Sequence, residues 1–415
     1  MMKLKKMKRL DIFITISLSC TIVFLFLLII TGGDIATWLV MENNYDSTFT
    51  DHFRHICFAS DMEHFYFNTI DATFPPFAYL LYHLLVMINP PEQPWGILDW
   101  DAVIAYRYNM LVYIMLTILL VLIFKLIIDK CLPQEGVIKT TVFVSAILLS
   151  APFMAGAIER GNIAFLTAVM LLIALYLKDL DSVICREAAL LLIAMAAGLK
   201  LYPAVVGFIY VKEKRWKEGV RLLIYGLIFF FVPFAFVGGI PALIRYFQVL
   251  FFFENQGYCS WTNIRNFLLS ISRVLGQYEN SPYFVKYFKI AENLYLILCL
   301  LSLFKTGEKW KKALYTSGAM ALYVPFSYRY VSCYMMIPLV FYMMERREDQ
   351  KMIYCILFAL TFTVPFYGYF TPIGADFFIF LPIYIMMAYA FCEEWLFPLF
   401  KNGKDRSKMI KAVSE

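Results

Sequence analysis

The sequence predicts an all-α polytopic membrane protein, a bundle of about 12 transmembrane helices with two extended outer loops. Three observations indicate this class. Of the 415 residues, 61% are apolar and only 16% are charged, whereas about a quarter of the residues in a soluble domain are charged. The apolar residues form runs, the first of which is long enough to cross a hydrocarbon layer of about 30 Å. The basic residues cluster between these runs, as they do in the cytoplasmic loops of membrane proteins.

This composition excludes several classes of protein. A soluble chain of this length has too little interior to bury so many apolar side chains, so soluble enzymes, disulfide scaffolds, disordered regulators and coiled coils are ruled out. The net charge of +6 is divided among short clusters and forms no groove-like stripe, so no nucleic-acid partner is predicted. The predicted surroundings are the lipid bilayer of the plasma membrane.

The first apolar run, residues 12–30, follows a strongly basic N-terminus. It is longer than the apolar core of a cleaved signal peptide, so we interpret it as a retained first helix with a cytoplasmic N-terminus. Further apolar runs predict the remaining helices in chain order. They cover residues 74–89, 108–128, 139–157, 162–177, 187–211, 219–238, 285–304, 313–326, 329–344, 352–371 and 376–393.

The basic clusters agree with this number of helices. They lie at residues 212–221, 305–312, 346–351 and 401–411. About twelve crossings place all of them on the side of the N-terminus, where the positive-inside rule expects them. The C-terminus is therefore predicted to be cytoplasmic as well.

The region 74–211 has an alternative topology. Lys200 and Pro203 interrupt the sixth run, and a lysine at the middle of a bilayer usually faces a cavity. In the alternative, the sixth run forms a hairpin that reaches outward, and the run 74–89 is re-entrant. The local basic residues favour this alternative slightly, and the sequence leaves both open.

The predicted organisation follows from these helices and the loops between them. Residues 1–238 form a membrane module that includes the acidic first outer loop, residues 31–73. Residues 239–283 form an amphipathic second outer loop, with stretches that are expected to lie as helices along the membrane interface. Residues 284–400 form the C-terminal membrane helices, and residues 401–415 form a basic cytoplasmic tail.

The first outer loop is the segment richest in chemically active residues. It carries one arginine, three of the four histidines and a set of acids, namely Asp34, Glu42, Asp46, Asp51, Asp61, Glu63 and Asp71. Acids in a loop are often only solvated surface. A carboxylate beside an acceptor hydroxyl, however, can take its proton as that oxygen attacks an activated sugar carbon. Because other outer loops are short or nearly uncharged, we expect a catalytic acid in this one.

A metal site is a second interpretation of the same loop. His52 and His55 are spaced to share a helical face beside Asp51, which suits a pair of metal ligands. No further residues complete a ligand set, and loop histidines commonly serve as hydrogen-bond partners. We therefore predict no metal and no other cofactor.

Several short motifs, in order along the chain, resemble those of membrane-embedded GT-C glycosyltransferases, in particular glycosyltransferase family 87 and the related GPI mannosyltransferases. The motifs are Thr-Asp-His-Phe at 50–53, Phe-Pro-Pro-Phe-Ala-Tyr-Leu-Leu at 74–81, Glu-Arg-Gly-Asn at 159–162, Gly-Leu-Lys-Leu-Tyr-Pro at 198–203, Lys-Arg-Trp at 214–216 and Pro-Phe-Ser-Tyr-Arg-Tyr at 325–330. The chain departs from the usual pattern at Phe74, where tyrosine is common, and it lacks an Asp-x-Asp motif.

The resemblance implies a GT-C-like bundle and an inverting hexosyltransferase. Its donor would be a polyprenyl-phosphate-linked sugar, mannose or another hexose. Its acceptor would be an envelope glycan or a glycolipid at the outer membrane face. By the motif match, Asp51 corresponds to the loop aspartate that acts as general base, and Asp34 is the reserve candidate.

Three cations are candidates to bind the donor phosphate. Arg160, Lys200 and Arg329 lie within or beside apolar runs, where an unpaired charge is costly and usually functional. A phosphate leaving group needs such donors to stabilise its growing charge. Their alternative role is internal ion pairing, for Arg160 with its neighbour in the chain, Glu159. Supporting hydrogen bonds are expected from Asn162 and Tyr202, which belong to the same motifs.

The second outer loop offers a candidate site for sugar or acceptor. Trp261 and Asn255, near Tyr258 and Arg265, could provide an aromatic face and an amide for a saccharide. Aromatic residues are also expected at any membrane interface, and that interpretation remains open.

Two other functions share this multi-span plan. A transporter or flippase of lipid-linked saccharides would use the acids and the three cations to line a path, and it would move the lipid without forming a glycosidic bond. A glycan polymerase or ligase would transfer a block of sugars rather than one residue.

Overall fold

The computed structural model describes residues 8–39, 49–88, 107–255, 263–265, 267–268, 271, 282–323, 328–345, 351–366 and 375–399. Within these ranges the regular structure is helical and contains no strand, as the sequence predicts. The α-helices are α1 Arg9–Ile30, α2 Asp34–Leu39, α3 Thr50–Ala59, α4 Phe65–Asn68, α5 Pro76–Ile88, α6 Arg107–Cys131, α7 Val137–Leu148, α8 Ala164–Leu177, α9 Val183–Leu199, α10 Phe208–Lys212, α11 Trp216–Phe231, α12 Gly239–Asn255, α13 Pro282–Lys305, α14 Lys309–Leu322, α15 Met336–Met344, α16 Met352–Thr361 and α17 Ala375–Phe391.

Five helical segments of the described chain are long and apolar enough to cross a membrane. They are Arg9–Ile30, Met110–Cys131, Trp216–Phe236, Lys286–Lys305 and Phe377–Leu399. A sixth candidate joins α7 to the helical turn Pro152–Ile158 across a bend of 61°. The protein is thus a multi-pass membrane protein. The other apolar runs form shorter helices, and the number of about twelve crossings stays a prediction.

Two prolines account for interruptions in the apolar runs. Pro152 opens the π-helical segment that ends at Ile158, and a proline inside a helical run removes an N–H donor and clashes with the preceding turn. In the sixth predicted run, α9 ends at Leu199, Lys200 is extended with φ −145° and ψ 127°, and Pro203 lies in the 3₁₀ segment that follows. The sixth run is therefore two helical pieces hinged at Lys200.

Packing brings distant parts of the chain together around one large apolar core. Helix α9 packs between α8 and α11, and α3 of the first outer loop packs on α5. The 3₁₀ segment Arg329–Met335 packs against the turn Pro152–Ile158. As a result, the first outer loop, the turn after Ile158, the hinge at Lys200 and the segment that begins at Arg329 all border the same region.

Candidate active site

The turn after Ile158 is a glycine-terminated helix end. The N–H of Gly161 donates to the carbonyl of Ile158 at 3.1 Å, and the N–H of Asn162 donates to the carbonyl of Ala157 at 2.9 Å. This pair of bonds is the Schellman arrangement, which requires a left-handed residue after the last helical one. Gly161 supplies that conformation with φ +69°. Arg160 is therefore the capping residue of this end.

Helix α3 docks by its N-terminus onto this turn. The N–H of Phe49 donates to the carbonyl of Glu159 at 2.6 Å, and the N–H of Asp51 donates to the carbonyl of Arg160 at 3.0 Å. The first N–H groups of a helix lack partners within the helix, and no side chain caps α3. The two carbonyls of the turn satisfy these donors and hold Asp51 beside Arg160.

Gly161 is also required by the close approach of α3. A Cβ atom on this residue would lie 2.6 Å from the Cβ of His52, closer than two carbon atoms can pack. The glycine of the Arg-Gly-Asn motif thus allows the left-handed turn and leaves the space into which α3 packs.

The Asp51 carboxylate is held by two side chains of the turn. Its Oδ1 lies 3.1 Å from Nη2 of Arg160, and its Oδ2 accepts from Nδ2 of Asn162 at 2.6 Å. Burial on its own would raise the pKa of Asp51. The charge of Arg160 and the hydrogen bond from Asn162 outweigh burial and hold the pKa below its ordinary value of 3.8. Asp51 is therefore a carboxylate at neutral pH.

The second atom of the Asn162 amide fixes its orientation. Oδ1 accepts from the N–H of Ala164, the first residue of α8, at 3.0 Å. With its oxygen engaged by the backbone, the amide turns its NH₂ group to Asp51. Asn162 therefore both starts α8 and orients the carboxylate.

The Lys200 ammonium is buried without an acidic partner. The residue is 3% exposed, and no carboxylate of the described chain lies within ion-pair distance of its Nζ. That atom faces the ring of Tyr330 at 4.2 Å and the ring of Phe74 at 4.3 Å, measured to the ring centroids. Aromatic faces attract a cation but do not neutralise it, and the Asp51 carboxylate acts on this charge through space without an ion-pair contact.

The candidate site borders a cavity of about 630 Å³. A second cavity, of about 690 Å³, lies away from the site at the junction of α1 and α7. Lys200, Phe74, Tyr202 and Tyr330 line the cavity at the site. The rest of its wall is largely apolar and comes from the hinge segment and helices α12, α13 and α14. An elongated apolar ligand with a charged end matches such a cavity.

Arg329 and Tyr202 border the same region. Arg329 is 7% exposed and opens a 3₁₀ segment whose backbone packs at Gly156, where an added Cβ would lie 2.9 Å from the Arg329 carbonyl carbon. Its neighbour Tyr330 contacts Lys200. The Tyr202 hydroxyl accepts from the hydroxyl of Tyr334 at 3.4 Å, so this ring is held from within the core.

The remaining predicted residues are Asp34, Asn255 and Trp261. Asp34 is exposed at the start of α2, and its neighbour Ile35 packs in a separate small cluster with Phe24 and Val364. Asn255 is the last residue of α12. Trp261 lies outside the described residues.

His52 and His55, the candidate metal ligands of the sequence, pack among aromatic rings. The His52 ring lies 4.6 Å from that of Tyr113, and the His55 ring stacks on Phe74 at 3.9 Å with an interplanar angle of 29°. Burial lowers the pKa of His55 to about 3, although the nearby Asp51 raises it, so the ring is neutral and Nδ1 can accept from the Tyr79 hydroxyl at 3.2 Å. No group of metal ligands occurs within the part of the chain that the structure describes.

Sequence reasoning did not identify two residues of the site. Phe74 begins the motif at residues 74–81, where it departs from the usual tyrosine, and Tyr330 ends the motif at residues 325–330. Their aromatic character and their places in these motifs are the sequence features that could have identified them. Their contact with Lys200 depends on folding across 126 and 130 positions of chain, which no local pattern reveals.

The fold and the site together define an integral membrane protein with an enzyme-like site, in which buried charged side chains lie beside an apolar cavity. The sequence model of glycosyltransferase family 87 matches residues 72–327, which is more than half of the chain. The protein therefore belongs to glycosyltransferase family 87, as its motifs predict. No curated protein and no solved structure matches the chain. The matched segment includes Arg160, Asn162 and Lys200, whereas Asp51 precedes it.

Proposed function

We propose that the protein is an inverting hexosyltransferase that uses a polyprenyl-phosphate-linked sugar as donor. The proposed acceptor is an envelope glycan or glycolipid at the outer face of the plasma membrane, and the proposed topology has both termini in the cytoplasm. One observation carries the proposal. Lys200, a buried ammonium that contacts aromatic rings and interacts with Asp51 only through space, lies on the wall of a largely apolar cavity.

This arrangement suits a lipid phosphate better than a soluble phosphate donor. Burying an unpaired ammonium is costly, and a phosphate that binds beside it relieves that cost. The apolar walls from α12 and α13 would bind an isoprenoid chain through the hydrophobic effect. A nucleotide sugar has no long apolar part for such a cavity.

The proposed chemical step is a direct displacement with Asp51 as general base. The acceptor hydroxyl oxygen attacks the anomeric carbon as the bond from that carbon to the phosphate oxygen breaks. The polyprenyl phosphate leaves with the electron pair, and Asp51 takes the hydroxyl proton. Its low pKa keeps it ionised and ready, and it accepts the proton late, when attack has made the hydroxyl acidic. A single displacement inverts the anomeric configuration.

The neighbouring residues have proposed roles in the same step. Arg160 lies next to Asp51 and would share its charge with the donor phosphate, together with Lys200 and Arg329. Asn162 orients the base, and Tyr202 supports the phosphate site from the cavity wall. Trp261 and Asn255 of the second outer loop remain the proposed contacts for the sugar or the acceptor.

The test is sugar transfer by the purified protein in liposomes with radiolabelled polyprenyl-phosphate hexoses and a glycolipid acceptor extract. Asp51→Asn should lower kcat at least ~100-fold, since a positioned general base typically contributes that much, while donor binding persists. Asp61→Asn is the matched control, because Asp61 lies in the same loop and pairs with His64, so its transfer rate should stay at the wild-type level.

Three results would change the proposal. Normal transfer by Asp51→Asn would remove Asp51 from the mechanism, and loss of transfer in Asp34→Asn alone would assign the base to Asp34. Transfer from nucleotide sugars, without any from polyprenyl-phosphate sugars, would refute the proposed donor class.

A further inference from the structure

The Lys200 ammonium is one member of an ordered stack of side chains. His55 stacks on the Phe74 ring at 3.9 Å, Phe74 faces the ammonium at 4.3 Å, and the ammonium faces Tyr330 at 4.2 Å. Phe74 lies near the start of the matched family segment, residues 72–327, and Tyr330 lies just beyond its end. Both also line the cavity beside Lys200. These two rings thus lie on the Lys200 ammonium at the cavity wall, and the Tyr202 ring lies farther from it, at 5.7 Å.

Each ring is itself fixed by the surrounding structure. The carbonyl of Phe74 accepts from the buried Tyr66 hydroxyl at 2.7 Å, and its ring rests on His55, which is held by Tyr79. The backbone of Tyr330 lies against Gly156, where an added Cβ would come within 2.9 Å of its nitrogen. The Tyr330 ring also stacks on the ring of Tyr328 at 6.4 Å, so neighbouring groups constrain both rings beside the longer lysine side chain.

An aromatic frame has a different effect from an acidic partner. A carboxylate on Lys200 would hold the ammonium in place, but it would also neutralise the charge that a phosphate needs. Aromatic faces contribute cation–π attraction, worth more when water is excluded, and add no negative charge to the through-space effect of Asp51. The lysine also follows the C-terminus of α9, the end of a helix that favours a cation.

We propose that Phe74 and Tyr330 are positioning residues that hold the Lys200 ammonium at the cavity wall and so set the affinity for the phosphate of the lipid donor. The inference rests on the proposed donor class. It assigns to two side chains that never need to touch the sugar a direct influence on donor recognition. An apolar side chain of similar volume would not be sufficient for this role, because the face of the aromatic ring is what attracts the ammonium.

The test measures equilibrium binding of farnesyl phosphate to the detergent-solubilised full chain, with farnesol as the probe that lacks the phosphate. Phe74→Leu and Tyr330→Leu keep apolar volume but remove the ring, and each should weaken farnesyl phosphate binding about tenfold. Phe74→Tyr and Tyr330→Phe keep the ring and should bind within about twofold of wild type. Farnesol binding should be unchanged in all four variants.

A matched control comes from another cation–π pair. The Lys305 ammonium lies 4.0 Å from the centroid of Trp395, and neither residue lines the cavity. Trp395→Leu should therefore leave farnesyl phosphate binding unchanged. Lys200→Gln, with its charge removed, should reduce binding of farnesyl phosphate to that of farnesol.

The outcomes separate the inference from the proposed function. If Lys200→Gln binds farnesyl phosphate as wild type does, the proposed phosphate site is wrong. If Lys200→Gln loses binding but both leucine variants retain it, only the positioning role is overturned. If the leucine variants lose farnesol and farnesyl phosphate equally, or if the ring-keeping variants also lose phosphate binding, the rings act as cavity structure and the inference is likewise overturned.

Discussion

The close packing of Gly161 against α3 can be tested by a substitution that adds one methyl group. Gly161→Ala adds a Cβ that would lie 2.6 Å from the Cβ of His52, at a residue whose φ is +69°. The matched control is Gly32→Ala. Gly32 follows α1 in the same Schellman arrangement, with bonds from residues 32 and 33 to the carbonyls of Ile29 and Leu28, a φ of +62° and nothing within 4 Å of an added Cβ.

The two variants differ only in the steric contact. Both place an alanine in left-handed backbone, which costs ~1–2 kcal/mol. Gly161→Ala must also displace His52 from a packed core, and overpacking of this kind costs a further ~1–3 kcal/mol. The expected loss of unfolding free energy is thus ~2–5 kcal/mol for Gly161→Ala, against ~1–2 kcal/mol for Gly32→Ala.

The measurement is chemical denaturation of both variants in one detergent, followed by tryptophan fluorescence, with sugar transfer as the second readout. Because His52 adjoins Asp51 in α3, Gly161→Ala should also lower transfer, whereas Gly32→Ala should not. Equal destabilisation by the two alanines would refute the argument, because the contact with His52 would then have no energetic consequence. Wild-type stability of Gly161→Ala would refute it as well.

Two further predictions concern buried ionisable side chains. His55 has a pKa of about 3 when folded and an ordinary value of 6.5, so the unfolded chain takes up a proton that the folded chain refuses. Stability should fall as the pH decreases from 6.5 toward 3, by up to ~1.4 kcal/mol per pH unit, and His55→Gln should flatten the slope of denaturation midpoints between pH 6.5 and 4.5; an unchanged slope would contradict the assignment. The buried pair of Arg265 and Glu292, 2.7 Å apart, predicts that Arg265→Met alone lowers the unfolding free energy by ~3–5 kcal/mol. Adding Glu292→Gln should restore much of that loss in the same assay, and a double variant no more stable than the single one would contradict the pairing.

Local sequence features predicted much of the fold and part of the site. Apolar runs of suitable length located the helices, because burying apolar side chains in lipid or in a core needs such runs in either case. The motif match selected Arg160 and Asn162, and the structure places both on Asp51, more than a hundred residues earlier in the chain. The sequence leaves Glu159 as an alternative partner of Arg160, and the structure shows an ion pair with Asp51.

Other features depend on packing between distant segments and could not be predicted. The sequence shows the break at Lys200 as a polar residue shortly before Pro203. It does not show how this break changes the number of membrane crossings, because short helices can span the membrane, re-enter it or pack inside the protein. The cavity has walls from α12, α13 and α14, whose mutual arrangement leaves no periodic signal. Asp34 follows the first span and is the reserve candidate on sequence position, whereas the packing of its neighbour Ile35 in a separate cluster is a property of the fold.

The two backbone bonds from α3 to the carbonyls of Glu159 and Arg160 restrict which parts of the site can adapt. The carboxylate of Asp51 and the guanidinium of Arg160 share one backbone junction, so we expect them to move as a single unit. The residues of α12 and α13 that line the cavity carry aliphatic and aromatic side chains. If the proposed lipid donor binds here, variation in its length or branching would be accommodated by these walls, while the distance between Asp51 and Arg160 stays constant.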